Sequence, residues 1–262
     1  YYQGHPWDIG RLMPEEGGEE FKTWAALDQF EKVCWLWNET YSRITEMTEK
    51  LPESRKIVVK FEELTTSPET TENLFQFLEL DGYDEKKIKN VLEKKLNVQQ
   101  GGNFPKSIDW NKDLQEKAEK QYGKLRKIFG YKNNDEVSNK NHKLVTKNGK
   151  SKKKPKILFI EQKYQSTGGH LDHIVEALSG KYHVRYLKTL STDQAQLGIN
   201  WADIVWLEWA NQMAIHATNN IKSIEKKKVV CRLHGYEVFT DMPKKINWEH
   251  VQRLIFVAKH KM

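Results

Sequence analysis

The sequence predicts an α/β protein built on parallel sheets, and three observations predict it. Ile157–Ile160 is a short apolar run of β-formers. A polar loop ending in Gly168-Gly169 follows, and from His170 the apolar residues Leu171, Ile174, Val175 and Leu178 fall at helical spacing. Downstream, strand-like runs at 183–187, 204–207, 228–233 and 253–257 alternate with helical patterns at 170–179 and 211–225, the rhythm of βαβ units. Upstream, a separate strand-like run at 55–61 lies among longer helical patterns, so a different, mostly helical part is expected before the parallel-sheet half.

The upstream elements follow in order. From Glu19 to Thr48 the residues Leu27, Phe30, Cys34, Trp37, Tyr41 and Ile44 alternate spacings of three and four, which predicts one long helix with a single apolar stripe. Trp24, Val33, Trp35 and Leu36 widen that stripe, as expected of a well-buried helix. Arg55–Phe61 reads as a strand because Ile57, Val58 and Val59 are continuous. Ser67-Pro68-Glu69 is a helix start, with an N-cap, a proline at the first helical position and an acid in the first turn. Leu74, Phe75, Phe77, Leu78 and Leu80 give that helix its apolar face, and Gly82 follows its end. A charged helix over about 84–96 leads to Gly101-Gly102, and a last helix from Asn111 to Phe129 stops at Gly130. Asn133–Lys153 is rich in Asn, Lys and Ser and poor in apolar residues, the composition of a flexible linker. The expected domains are therefore 1–131 and 155–262, joined by a basic linker at 132–154.

Charge supports that division. The net charge is +7, yet residues 132–154 hold eight Lys against one Asp and one Glu. The rest of the chain is close to neutral, so the basicity belongs to a solvated tether and no nucleic-acid partner is expected. Cys34 and Cys231 are far apart, each inside an apolar run, which excludes a disulfide framework and a CxxC metal site. A reducing, cytoplasmic setting is expected. No apolar run is long enough for a transmembrane segment. The chain starts at Tyr1 without a Met and stops at Met262 just after a strand, so both ends are expected to cut through larger domains.

Three strand ends bring chemistry to one rim. In a parallel sheet the loops after the strand C-termini line the ligand crevice. Here those loops carry Gly168-Gly169-His170, Glu208-Trp209-Ala210-Asn211 and His234-Gly235-Tyr236-Glu237. The glycine loop is not a dinucleotide fingerprint. GxGxxG is absent, and Val184–Thr192, where an acid would hold a ribose, contains no Asp or Glu. Gly149-Lys150-Ser151 is not a P-loop, because Leu144 stands where the first glycine is needed and no strand precedes it. No Asp-x-Asp occurs, so a carboxylate-held divalent metal is not suggested.

Residues 155–262 resemble the N-terminal half of a GT-B glycosyltransferase, most closely of family 4. The resemblance is carried by KILFI, by the GGH loop and its helix, by ADIVWLEWANQ, and by RLHGYE before LIFVAKHKM. It implies a Rossmann-like domain and a retaining transfer of sugar from a nucleotide donor without a metal. By that resemblance Gly168, Gly169 and His170 would lie by the donor diphosphate and acceptor, and His234 would contact the sugar at the reacting centre. Glu237 would support the rim. A departing diphosphate needs positive potential, which amides at a helix N-terminus supply.

Residues 1–131 resemble the C-terminal part of a PAPS-dependent sulfotransferase. The carrying residues are Lys56–Leu64, Ser67-Pro68, the helix ending FLEL, Trp110, and the closing Lys127–Tyr131. That implies a truncated P-loop-like fold whose phosphosulfate loop and catalytic base lie upstream, with PAPS as cofactor. Lys106 is a candidate for the 3′-phosphate, although a solvated lysine is the favoured reading. Together the resemblances imply a two-enzyme polypeptide acting on a carbohydrate or other hydroxyl acceptor. This stretch alone is expected to be inactive. Rival expectations are a non-catalytic scaffold with degenerate domains, and a nucleotide-sugar epimerase in the distal half.

Overall fold

The computed structural model describes residues 12–80, 84–93, 107–131, 154–162 and 171–258. Its elements in chain order are α1 (Glu19–Ala25), α2 (Gln29–Thr48), β1 (Lys56–Lys60), α3 (Phe61–Leu64), α4 (Pro68–Phe77), α5 (Glu85–Leu92) and α6 (Lys112–Ile128). Then follow β2 (Lys156–Glu161), α7 (Asp172–Ser179), β3 (His183–Lys188), α8 (Thr192–Trp201), β4 (Ile204–Glu208), α9 (Gln212–Asn220), β5 (Lys228–Leu233), α10 (Met242–Lys245) and β6 (Arg253–Ala258). Residues 132–153, which include most of the expected linker, lie outside the described residues, as do Gly101, Gly102 and Lys106.

Packing divides the chain into two compact units. One contains α1, α2 up to Met47, and α6. The other contains the sheet with its helices. These units do not follow the boundaries expected from the sequence, because β1, α3, α4 and α5 are built into the same unit as the distal half.

In the helical unit the expected single helix over 19–48 is two helices. Asp28 and Glu31 explain the break. Glu31 N–H donates to Asp28 Oδ1 at 2.8 Å and Asp28 N–H to Glu31 Oε2 at 3.1 Å, a reciprocal capping box that starts α2 afresh. Lys117 of α6 adds a 2.7 Å ion pair to Asp28. The apolar stripe read from the sequence is the packed face: Cys34, Trp37, Tyr41 and Ile44 are buried, against Ala118, Tyr122 and Leu125 of α6 in the same core. The Trp37 ring lies 4.5 Å from Tyr41 and 5.0 Å from Tyr122.

Among the described residues, six strands form one all-parallel sheet in the order β1-β6-β5-β4-β2-β3. From β2 the chain moves outward to β3, then returns to the other side of β2 with β4 and proceeds to β5 and β6. The order therefore reverses between β2 and β4, which is the topological switch point of a Rossmann-like sheet. β1 closes the far edge, with Lys56 to Lys60 in register with Leu254 to Ala258.

Both faces of the sheet are covered, as a parallel sheet requires. On one face Val59, Ile157, Phe159, Trp206, Val230 and Ile255 form a single core with Leu74 and Phe75 of α4, Leu78 at its C-cap, Ile88 of α5 and Leu178 of α7. On the other, α8 approaches closely at Gly198, where an added Cβ would sit 2.8 Å from Leu158 Cδ2. Polar ties fix the early segment to the late strands. Arg55 donates to the carbonyls of Trp248 and Val251, while Glu79 at the end of α4 pairs with Lys228 at 2.6 Å and Arg253 at 2.7 Å. Those cations hold the Glu79 carboxyl below its usual range, Lys228 contributing most.

Helix starts agree with their caps: Ser67 Oγ accepts from Thr70 N, and Asn111 Oδ1 from Leu114 N. Helix α8 was not expected from its weak apolar pattern. Its start is marked by Ser191, whose Oγ accepts from Gln194 N, in the Ser-x-x-Gln spacing of a capping signal. No described helix is long and apolar enough to cross a membrane.

Candidate functional site at the C-terminal rim of the sheet

The switch point puts the ends of β2 and β4 side by side, and both end in glutamate. Glu161 and Glu208 are register partners, and both side chains are fully buried. Two adjacent buried carboxylates cost too much unless cations and donors meet them, and each has its own set on its outer side. On the β3 side, Tyr186 Oη donates to Glu161 Oε2, with Lys188 Nζ 3.9 Å away. On the β5 side, Arg232 donates Nε and Nη2 to Glu208 Oε1, the Nε contact being 2.8 Å. Trp206 Nε1 donates to Glu208 Oε2 at 2.9 Å.

His234 is the outermost member of this network. Its Nε2 lies 3.1 Å from Glu208 Oε1. A carboxylate paired with Arg232 can only accept, so Nε2 carries the proton of this contact. Exposure rises from zero at Glu208 through 15% at Arg232 to 25% at His234, so the buried charge network opens to solvent at the imidazole. The Trp209 ring stacks on it, with centroids 3.8 Å apart and planes 12° off parallel. Trp209 holds a backbone φ of +81°, a conformation that costs a non-glycine residue about 1–3 kcal/mol. Its N–H donates to Arg232 O at 3.1 Å, which anchors the turn that presents the ring.

Glu237 is fully buried beneath the same loop. Its Oε2 accepts from His234 N–H at 2.9 Å, and the backbone N–H of Ala210 also supports it. It thus ties the loop after β5 to the loop after β4. Burial pushes its carboxyl up to about 7, and the neighbouring Glu208 charge acts in the same direction. Asn211 caps α9 at this rim, with Oδ1 accepting from Met213 N at 3.0 Å.

Two of the three loops expected to converge are thereby brought together around His234. The third, with Gly168, Gly169 and His170, lies outside the described residues, although Glu161 places the end of its preceding strand at the rim. Of the residues expected to meet ligand, His234 is open to solvent, whereas Glu237 faces the protein and braces the loop. Arg232, Glu161, Tyr186 and Lys188 were not singled out from sequence. The available signal was a charged residue closing or interrupting a buried strand, as in KILFIE and KVVCRL. At the end of β3, where a dinucleotide site needs an acid, the structure has Lys188. Among the described residues no group of three or more His, Cys, Asp or Glu is arranged to hold a metal ion.

Comparison of the chain with protein-family models, with curated proteins and with solved structures finds no match.

Proposed function

We propose that the sheet domain is the half of a retaining, GT-B-type glycosyltransferase that presents His234 to the sugar transferred from a nucleotide donor. The observation that carries this is the imidazole itself. It follows β5, beside the switch-point strand β4 of a Rossmann-like sheet, held through Nε2 by the buried Glu208 and stacked on Trp209, so its orientation and proton position are set before a ligand arrives. An imidazole so held presents a fixed polar edge to a sugar hydroxyl at the reacting centre, and the Arg232 guanidinium behind it adds positive potential where a diphosphate departs.

Lys188 at the end of β3 favours this reading over a dinucleotide-dependent epimerase, because a cation there repels nothing on a phosphate and gives no acceptor for ribose hydroxyls. Sulfate transfer by the proximal residues rests on the sequence of Lys56–Leu64 and on no site geometry. Incubation with labelled PAPS and sugar acceptors tests it separately.

The test of the main reading is transfer or hydrolysis by the full polypeptide across a panel of radiolabelled nucleotide sugars. Turnover of one donor by wild type, lost in His234→Ala with the fold retained, is expected. Equal turnover by the variant, or no turnover of any donor by the folded protein, refutes it and favours the scaffold alternative.

A further inference from the structure

The opposite end of the sheet carries a second feature, independent of the rim. An open cleft of about 570 Å³ lies at the N-terminal ends of β2 and β3, lined by Lys156, Ser179, Tyr182, His183, Arg185 and Trp201 among others. No lining residue is acidic. The Arg185 guanidinium lies 4.0 Å over the Trp201 ring, and Lys156 Nζ is 5.6 Å from the same ring.

These two cations differ from the carboxylate-paired cations of the sheet. Arg232, Arg253 and Lys228 are each paired with a carboxylate, and none of the ion pairs among the described residues involves Arg185 or Lys156. Asp203 adjoins the cleft, but its Oδ2 accepts from the Lys156 backbone N–H at 2.9 Å. A guanidinium lying over an aromatic face keeps its N–H edges free and is held in one orientation, the arrangement that recognises a tetrahedral oxyanion with two donors at once. Lys156 supplies a second charge on the same ring, the Ser179 hydroxyl, which donates to Glu176 O at 2.8 Å, can accept, and the His183 imidazole adds a further polar edge. The volume exceeds what a bare oxyanion fills and falls in the range of small-molecule sites.

We propose that this cleft binds the phosphate or sulfate ester of a sugar-sized molecule, with the oxyanion on Arg185 and Lys156 and the sugar body along Ser179 and His183. A site remote from the rim would let the protein hold a charged acceptor or respond to a charged product, whether or not the rim transfers a sugar.

The test is an NMR titration following the Trp201 indole N–H, assigned by loss of its signal in Trp201→Phe. Probes are glucose 6-phosphate, glucose 6-sulfate, glucose, inorganic phosphate and a short oligothymidylate. Saturable shifts of that signal with one or both esters, and none with glucose, are expected, and the tighter ester identifies the oxyanion. Arg185→Gln, an exposed position whose change leaves folding intact, is expected to weaken binding about tenfold or more. Lys89→Gln, which removes a charge of α5 outside the cleft, is expected to change it by less than about twofold. No saturable binding, or equal weakening by both variants, overturns the site. Inorganic phosphate binding as tightly as the esters overturns the sugar. Oligothymidylate binding that outcompetes both esters and strengthens with length would make the cleft part of a nucleic-acid track instead.

Discussion

Glu237 makes the sheet domain sensitive to pH in a direction that can be worked out. Its carboxyl ordinarily titrates near 4.5, and in the folded protein burial raises it to about 7. Between those values the folded chain holds a proton that the unfolded chain has released. Stability therefore falls as pH rises through that window. Below 4.5 both states are protonated and nothing is lost. Above about 7 both are ionised, and the folded state bears the whole cost of a buried carboxylate whose nearest opposite charge, Arg232, is already paired with Glu208. At about 1.4 kcal/mol per pH unit, the full loss is about 3 kcal/mol.

The perturbation is Glu237→Gln, which has the shape of the protonated acid, still accepts from His234 N–H and cannot ionise. Urea unfolding of the sheet domain, measured from pH 4 to pH 8.5 for both proteins, gives their stability difference at each pH. Any difference in hydrogen bonding shifts the variant by a constant, and titrating groups that do not feel the Glu237 charge cancel. What remains is the change with pH. The variant should gain about 3 kcal/mol on wild type between pH 4.5 and pH 7 and be flat on either side. Two parallel curves would refute the argument, showing that the Glu237 carboxyl is solvated or is matched by a cation in the folded state.

Four further outcomes follow from the same structure. Glu208→Ala should destabilise the sheet domain by about 3–5 kcal/mol in urea unfolding, because it leaves Arg232 and the Trp206 indole without their buried acceptor. Gly198→Ala should cost about 1–3 kcal/mol in the same assay, since its Cβ would press on Leu158, and Leu158→Ala in the same chain should return part of that loss. Asp28→Ala should lower the stability of the helical unit by about 1 kcal/mol by removing one arm of the α2 capping box, read from thermal unfolding by circular dichroism. Neither cysteine should react with a thiol reagent at neutral pH in the folded protein, because burial pushes the Cys34 thiol up to about 12 and the Cys231 thiol well above its ordinary value. Rapid labelling of either would refute its burial.

The parts legible in the sequence were those set by local pattern. Continuous apolar runs gave all six strands within a residue or two, and Ser67 and Asn111 marked helices that begin there. The break between α1 and α2 was equally local but was masked by a hydrophobic stripe that runs straight across it. The stripe reports which face is buried, while the capping box decides where the helix starts. What no local pattern carries is which sheet a strand joins. Lys56–Lys60 lies about a hundred residues before β2, yet pairs with β6, so an expected domain boundary drawn from linker composition does not follow the packing. Strand pairing is a long-range choice, made by the Glu79 ties and the shared core of α4, α5 and α7.

The same limit explains the rim. His234 was visible because a histidine after a buried strand is conspicuous, but its proton position depends on Glu208, 26 residues earlier on the neighbouring strand. Register creates that pair, as it creates the juxtaposition of Glu161 and Glu208 across β2 and β4. Taken across the sheet from β3 to β5, the rim runs Lys188, Glu161, Glu208, Arg232 and then His234, two acids flanked on each side by cations. Because Arg232 already compensates Glu208, the imidazole is not needed to neutralise it. The buried carboxylate therefore depends on the guanidinium, and Arg232→Gln should destabilise the sheet domain by about 3–5 kcal/mol in urea unfolding, because it leaves a fully buried Glu208 without its main opposing charge. A variant as stable as wild type would mean that Glu208 is compensated by solvent and not by the buried network.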